Sequence, residues 1–398
     1  MAHRCSIHCI MPPHVLKHLL EKGSPEQRDM ARKALLSSTA LRSDRRFVSR
    51  LGFIAPVSGS GKQRMVFDCR NKPSTRNAVL VRREVDRSNG DSAVNEAFNG
   101  VGATYDFYRQ ILQRDSVDNA GMRLDSYVHY GESYPNAMWD GRKMIFGDGD
   151  GELFSRLTQS VDIIAHELTH GVTQYTANLE YRGQPGALNE SMSDVFGSLV
   201  KQWSLSQAAG DADWLLGAEC WTPKIQGDAL RSLKNPGSAY NDPSIGKDPQ
   251  PAHMRNYKNM QETPDDDMGG VHINSGIPNH AFYLFATALG GYAWETAGQV
   301  WYEALQRSKK DTNFEAFAAF TNSVAGEHFD RTIQQAVQAA WSEVGVKYGK
   351  KEKQQPSRIG ATADPSQLDL ADSLSQLASQ VDNLQKEIAM LKQSAEHQ

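Results

Sequence analysis

Helical periodicity dominates the second half of the chain. Ile163, Ile164, Leu168 and Val172 recur at three- and four-residue intervals, which puts their side chains on one face of an α-helix. Leu188, Met192, Val195, Leu199 and Trp203 repeat the pattern further on. The same spacing predicts helices over 277–289, 292–306 and 314–329, with an earlier one over 95–112. Strand-like runs fall before all but the earliest of these helices, at 66–67, 79–81, 127–130 and 144–146. Between 222 and 270, Gly, Pro and Asp break every period, so long loops are expected at the rim of a cleft. This order predicts an α+β body in two lobes: a β-rich one over 63–175 and a helical one over 176–350, with the cleft between them.

Two segments flank that body. Residues 1–62 contain one expected helix, 17–36, and then a Ser-, Arg- and Gly-rich stretch. The tail, 351–398, places Leu370, Leu374, Leu377, Val381, Leu384, Ile388 and Leu391 alternately four and three apart. Leu at one heptad position with β-branched residues at two sites of the other favours a parallel two-stranded coiled coil. A weak homodimer through 370–391 is one reading. A helix packed on its own body is the other.

At 398 residues, with 39% hydrophobic and 23% charged positions, the composition is that of a globular protein larger than one ordinary domain. No apolar run is long enough to span a membrane. Met1–Cys5 is not followed by an apolar stretch, so no secretory signal peptide is expected, and the protein should be cytoplasmic or exported by a non-classical route. Cys5, Cys9, Cys69 and Cys220 are too scattered for a disulfide framework. Residues 1–65 hold 12 Lys and Arg against 4 Asp and Glu, a basic segment suited to docking on an acidic body. They lack the interleaved aromatic residues or fold of a nucleic-acid binder, so no nucleic-acid partner is expected.

Candidate chemistry centres on His166-Glu167-Leu168-Thr169-His170. Histidines four apart leave the same helix face, one turn from each other, and can share a zinc ion. Glu167 then projects beside the metal as a general base for a water. Zinc needs a third protein ligand and keeps one position open for catalysis. Glu190 is a carboxylate close to an apolar helical stripe, expensive there unless paired or metal-bound, and is the candidate. Asp194, one turn on, is placed to accept the second N–H of a ligand histidine.

HELTH followed by Asn189-Glu190 and Ser193-Asp194 resembles the thermolysin family of zinc endopeptidases. Tyr134–Gly141, Met144–Gly151 and Gly269–Gly276 are similar to the family's edge strand, its turn and its histidine-bearing segment. The resemblance runs from about Val66 to Val346. It implies a zinc ion, one per chain, on His166, His170 and Glu190, with peptides or proteins as substrates. It implies Glu167 as base, His272 and Tyr181 as oxyanion donors, and Asp267 orienting His272. Asp194 would orient His166, and Asn189 would meet His170. Arg231, Asn136 and Ala137 would hold substrate backbone, and Ile163 and Leu230 would line a pocket favouring a bulky apolar residue after the cut.

Calcium is doubtful, because Lys201, Leu215 and Ala218 stand at three positions of the family's double calcium site, leaving Asp162 and Asp213. Lys201 is expected to act there as an internal cation. The amino-terminal segment, with Met11-Pro12-Pro13-His14-Val15-Leu16, resembles the short propeptide of protealysin-like precursors. It is expected to inhibit its own enzyme until cleaved between 40 and 61. A thiolate of Cys5 or Cys9 is a candidate for zinc's open position, with reduced, packed thiols as the plainer reading. An inactive descendant serving as a binding protein is the competing class. The intact ligand set argues against it.

Overall fold

The structure is a computed structural model that describes residues 8–50 and 61–347; in the first stretch side chains are described from Cys9 to Ser37. The heptads at 370–391, Cys5 and the stretch 51–60 lie outside the described residues. Among the described residues, no helix is long and apolar enough to cross a membrane.

The amino-terminal segment forms strand β1 (His8–Cys9) and helices α1 (Pro13–Lys22) and α2 (Pro25–Arg50). One helix over 17–36 was expected, and two are found. The break has a local cause. Gly23 closes α1 by donating to the Leu19 carbonyl, and Pro25 has no N–H with which to continue it. Ser24 and Gln27 then exchange side-chain and backbone bonds of 2.9 and 3.2 Å, a capping box that starts α2. Val15, Leu16, Leu19, Met30, Ala31 and Ala34 are buried in the same apolar core as the rest of the protein.

Strands β2 (Arg64–Asp68), β3 (Val79–Arg83), β4 (Leu124–Val128), β5 (Ala137–Trp139) and β6 (Met144–Phe146) join β1 in one sheet, in the order β1-β5-β6-β4-β2-β3. β2, β4 and β6 run parallel; β1 pairs antiparallel with β5, setting Cys9 opposite Met138. Without β1, β5 would be the edge of the sheet. Helix α3 (Ser92–Ile111) is capped by Asp91, which accepts from the Val94 N–H.

Beyond the sheet the chain is mainly helical. α4 (Val161–Gln174) and α5 (Gly183–Leu205) lie against each other. A Cβ on Gly197 would sit 2.6 Å from the Asp162 carbonyl oxygen, so only glycine allows this approach. α4 is buried from Asp162 to Thr173, which explains its apolar residues on more than one face. A ribbon of β7 (Leu215–Leu216) and β8 (Arg231–Ser232) follows, then α6 (Asp267–Asn274), α7 (Gly276–Leu289), α8 (Thr296–Arg307), α9 (Phe314–His328) and α10 (Arg331–Glu343). α8 starts later than its periodicity suggested, because Tyr292 and Trp294 stack at 4.4 Å in the turn before it. α10 was not anticipated; it buries Trp341 flat against Trp301, at 5.7 Å.

His129 ties these layers together. Its Nδ1 meets Asp148 at 2.7 Å and its Nε2 meets the cap residue Asp91 at 2.9 Å. Two acceptors need two protons, and the bond to Asp148, with Asp91, raises His129 to about 9 against the cost of burial. The charged form is therefore favoured by folding. Its contribution is complete below the unfolded value of about 6.5 and is lost as pH rises through 9. Thermal midpoints should fall over that window, and His129→Gln should flatten the fall. A variant with the same slope as the parent would refute the assignment.

Candidate active site

α4 and α5 bring the three predicted ligands together. The donor atoms of His166, His170 and Glu190 all lie within 4.8 Å of one another, and all three residues are buried. Each histidine is fixed from behind: His166 Nδ1 meets Asp194 at 2.8 Å, and His170 Nδ1 meets the Asn189 side-chain oxygen at 2.8 Å. Those acceptors hold the ring protons on Nδ1. Both Nε2 lone pairs therefore converge, 3.0 Å apart, with Glu190 oxygens 3.5 Å from each ring. Glu190 Oε2 has no hydrogen-bond partner although fully buried. Facing lone pairs and a buried carboxylate repel unless a cation lies among them, so this donor set fits a zinc ion.

Glu167 leaves α4 toward the sheet, where its Oε2 accepts the Trp139 N–H at 2.8 Å. Burial, and then the charge of Glu190, hold its carboxyl well above the usual range. Across the site stands His272. Its Nδ1 meets Asp267 at 2.6 Å, while its backbone N–H donates to the same carboxylate at 2.8 Å. Asp267 reaches back because four consecutive residues, Asp267 to Gly270, have φ between 53 and 93°. Gly269 and Gly270 adopt that geometry freely; for Asp267 and Met268 it costs about 1–2 kcal/mol each. Burial would lower the pKa of His272, but Asp267 and Glu190 raise it to about 9. The Tyr181 hydroxyl lies 3.2 Å from His272 Nε2 and also donates to Glu190.

Arg231, on β8, makes two 2.8 Å bonds to Asp194, the carboxylate that orients His166. These partners hold Asp194 well below the usual range in spite of its burial. Asn279, on α7, completes the set by donating to Asp194 at 2.8 Å. Sequence reasoning missed Asn279. Its only signal was an amide inside the apolar run 277–289.

The amino-terminal segment fills the space between these groups. The Cys9 carbonyl accepts from His272 Nε2 at 2.8 Å, and the Ile10 carbonyl accepts from Arg231 at 3.1 Å. The Ile10 N–H donates to the Ala137 carbonyl at 3.1 Å, and the Met11 N–H donates to the Asn136 side chain at 3.0 Å. His14 Nε2 lies 2.6 Å from the Tyr240 hydroxyl, and burial holds His14 down at about 4, hence neutral. The possible metal site consists of His166, His170 and Glu190 and does not include Cys9, whose Sγ lies 3.8 Å from the Met11 carbonyl. The residues expected to hold the metal, orient its ligands, catalyse or grip substrate backbone thus lie together here.

Comparison with known proteins agrees with this geometry. The family model described as "Thermolysin metallopeptidase, catalytic domain" matches residues 61–174, and "Thermolysin metallopeptidase, alpha-helical domain" matches residues 177–346. An "Extracellular metalloprotease" of Pectobacterium carotovorum subsp. carotovorum is 46% identical over 342 residues, covering 85% of this chain and 96% of its own. "Protease PrtS" of Photorhabdus sp. (strain Az29) is 43% identical over 349 residues, covering 86% of this chain and 93% of its own. Among solved structures, "Precursor of Protealysin, Metalloproteinase from Serratia proteamaculans" superposes with a TM-score of 0.76 at 47% identity, covering 85% of this chain and 99% of that one. With both domain models matched in sequence order and the ligand set assembled, the chain belongs to the thermolysin family of metallopeptidases.

Proposed function

We propose that this chain is a zinc-dependent endopeptidase that cuts before bulky apolar residues and is made as a zymogen, blocked by its own prosegment. The observation that carries the reading is the convergence of two Nε2 lone pairs and Glu190, with Glu167 alongside. When bound, zinc supplies a polarised water and positive charge facing the developing oxyanion. Glu167 takes the water's proton and returns it to the leaving nitrogen. Cationic His272, held by Asp267, and the Tyr181 hydroxyl face the carbonyl oxygen as it gains charge. Arg231, Asn136 and Ala137 hold the substrate main chain against β5. Ile163 and Leu230, both buried, favour an apolar side chain after the cut, with a graded preference of about 1–3 kcal/mol per methylene.

The prosegment occupies those same backbone-binding groups, which supports the zymogen reading; its removal by a cut between 40 and 61 would clear them. Glu167→Ala should lower casein hydrolysis by the matured chain by about 10³-fold while leaving one zinc per chain in metal analysis. Equal, near-zero activity in parent and variant would sink the peptidase reading and favour a binding protein.

Lys201 stands in for calcium in this reading. Its Nζ donates to Asp213 at 2.9 Å and to the Leu215 carbonyl at 3.3 Å, and it lies 3.5 Å from Asp162. Burial would strip this cation of its proton, but Asp162 and Asp213 raise its pKa and keep it charged, while burial holds Asp162 itself up at about 6. A calcium-selective chelator should leave the melting temperature unchanged, whereas Lys201→Ala should cost about 3 kcal/mol in unfolding free energy. A large chelator-induced loss of stability would overturn the assignment.

A further inference from the structure

Residues Cys9 to Met11 do more than block the site: they cross it in the direction and register of a peptide being cut. The Cys9 carbonyl sits on His272, whose ring nitrogen is also 3.2 Å from the Tyr181 hydroxyl. The next nitrogen, that of Ile10, bonds the carbonyl of Ala137, on the same short strand as Trp139, whose N–H holds Glu167 at 2.8 Å. The next carbonyl meets Arg231, and the amide after it meets Asn136. One peptide bond therefore has its oxygen on His272 and its nitrogen on the strand that holds the base, and that bond is Cys9–Ile10. A segment lying in the opposite direction would reverse this alternation of carbonyls and amides and escape hydrolysis. Ile10 is fully buried, in the same apolar core as Ile163 and Leu230, so the side chain after the bond is also of the preferred kind.

We propose that Cys9–Ile10 is an internal cleavage site which the precursor cuts in its own chain without being activated by the cut; this rests on the peptidase reading above. Water's oxygen bonds to the Cys9 carbonyl carbon as Glu167 takes its proton. The C–N bond then breaks, and the Ile10 nitrogen leaves with the proton from Glu167. The products are a Cys9 carboxylate and an Ile10 amine, with no change of oxidation state.

The new amino terminus stays where it was. Arg231 and Asn136 hold Ile10 and Met11, His14 bonds Tyr240, His18 bonds the Pro243 carbonyl at 3.0 Å, and Lys17 donates to the Asp265 carbonyl. The apolar faces of α1 and α2 add Val15, Leu16, Leu19 and Met30 to the core. The site remains filled by residues 10–37, and this cut is separable from the later one that releases the prosegment.

The test is a time course of the purified full-length, zinc-loaded chain, read by intact mass and N-terminal sequencing. A species starting at Ile10 should accumulate at a rate independent of protein concentration, with no matching rise in casein hydrolysis. It should be absent in Glu167→Ala and form at least about 10-fold more slowly in Ile10→Gly. Hydrogen exchange on the Glu167→Ala precursor reads the register without activity: the Ile10 and Met11 amides should be protected. Amides exchanging as in a free peptide, or an Ile10 species whose rate rises with concentration, would overturn the proposal. Trypsin-treated chain that hydrolyses casein, alongside a precursor that never yields Ile10, would remove this inference and leave the peptidase reading standing. Loss of both would remove both.

Discussion

One buried carboxylate anchors the site. Asp194 accepts from His166 on α4, from Arg231 on β8 and from Asn279 on α7, while itself belonging to α5. Four elements, from α4 to α7, thus meet at one charge. A carboxylate so buried is tolerable only when its lone pairs are taken up by such donors, two of them from a guanidinium. Under the proposed function the arrangement couples metal binding to substrate binding. The arginine that reaches the Ile10 carbonyl is the one that neutralises the group orienting a metal ligand. Gly197 is the steric side of the same constraint, since α5 carries Asp194 to His166 only if it can lie directly on α4.

His166, Glu167, His170 and Glu190 were legible because their candidate chemistry depends on spacing within a helix, which sequence displays directly. The roles of Arg231, Asn136, Asp267 and Tyr181 came through resemblance, because their placement depends on loops and turns with no period. Asp267 illustrates the limit. Its reach to His272 needs four left-handed residues, and only the two glycines advertise that conformation. Asn279 was invisible because a single amide in an apolar helix does not reveal which distant carboxylate it serves.

The amino-terminal segment was legible in composition but not in geometry. Its basic charge suggested electrostatic docking, whereas the contacts with the site are made largely by backbone atoms of Cys9, Ile10 and Met11 and by apolar faces of α1 and α2. Among the described residues the Cys9 thiol is not part of the possible metal site. A peptide group carries no sequence signal, yet the Cys9 carbonyl is the atom that reaches His272.

Strand β5 recognises its partner chiefly through main-chain bonds, and main-chain bonds require a partner that is extended over several consecutive residues. Residues in a helix or an interior strand have already spent those N–H and C=O groups elsewhere. As the proposed substrate edge, β5 would sort polypeptides by how easily a stretch comes loose, with side-chain preference as a secondary filter. On the proposed reading, frayed termini, flexible loops and damaged or unfolded chains would be the natural prey, while a well-packed protein standing beside the enzyme would be spared.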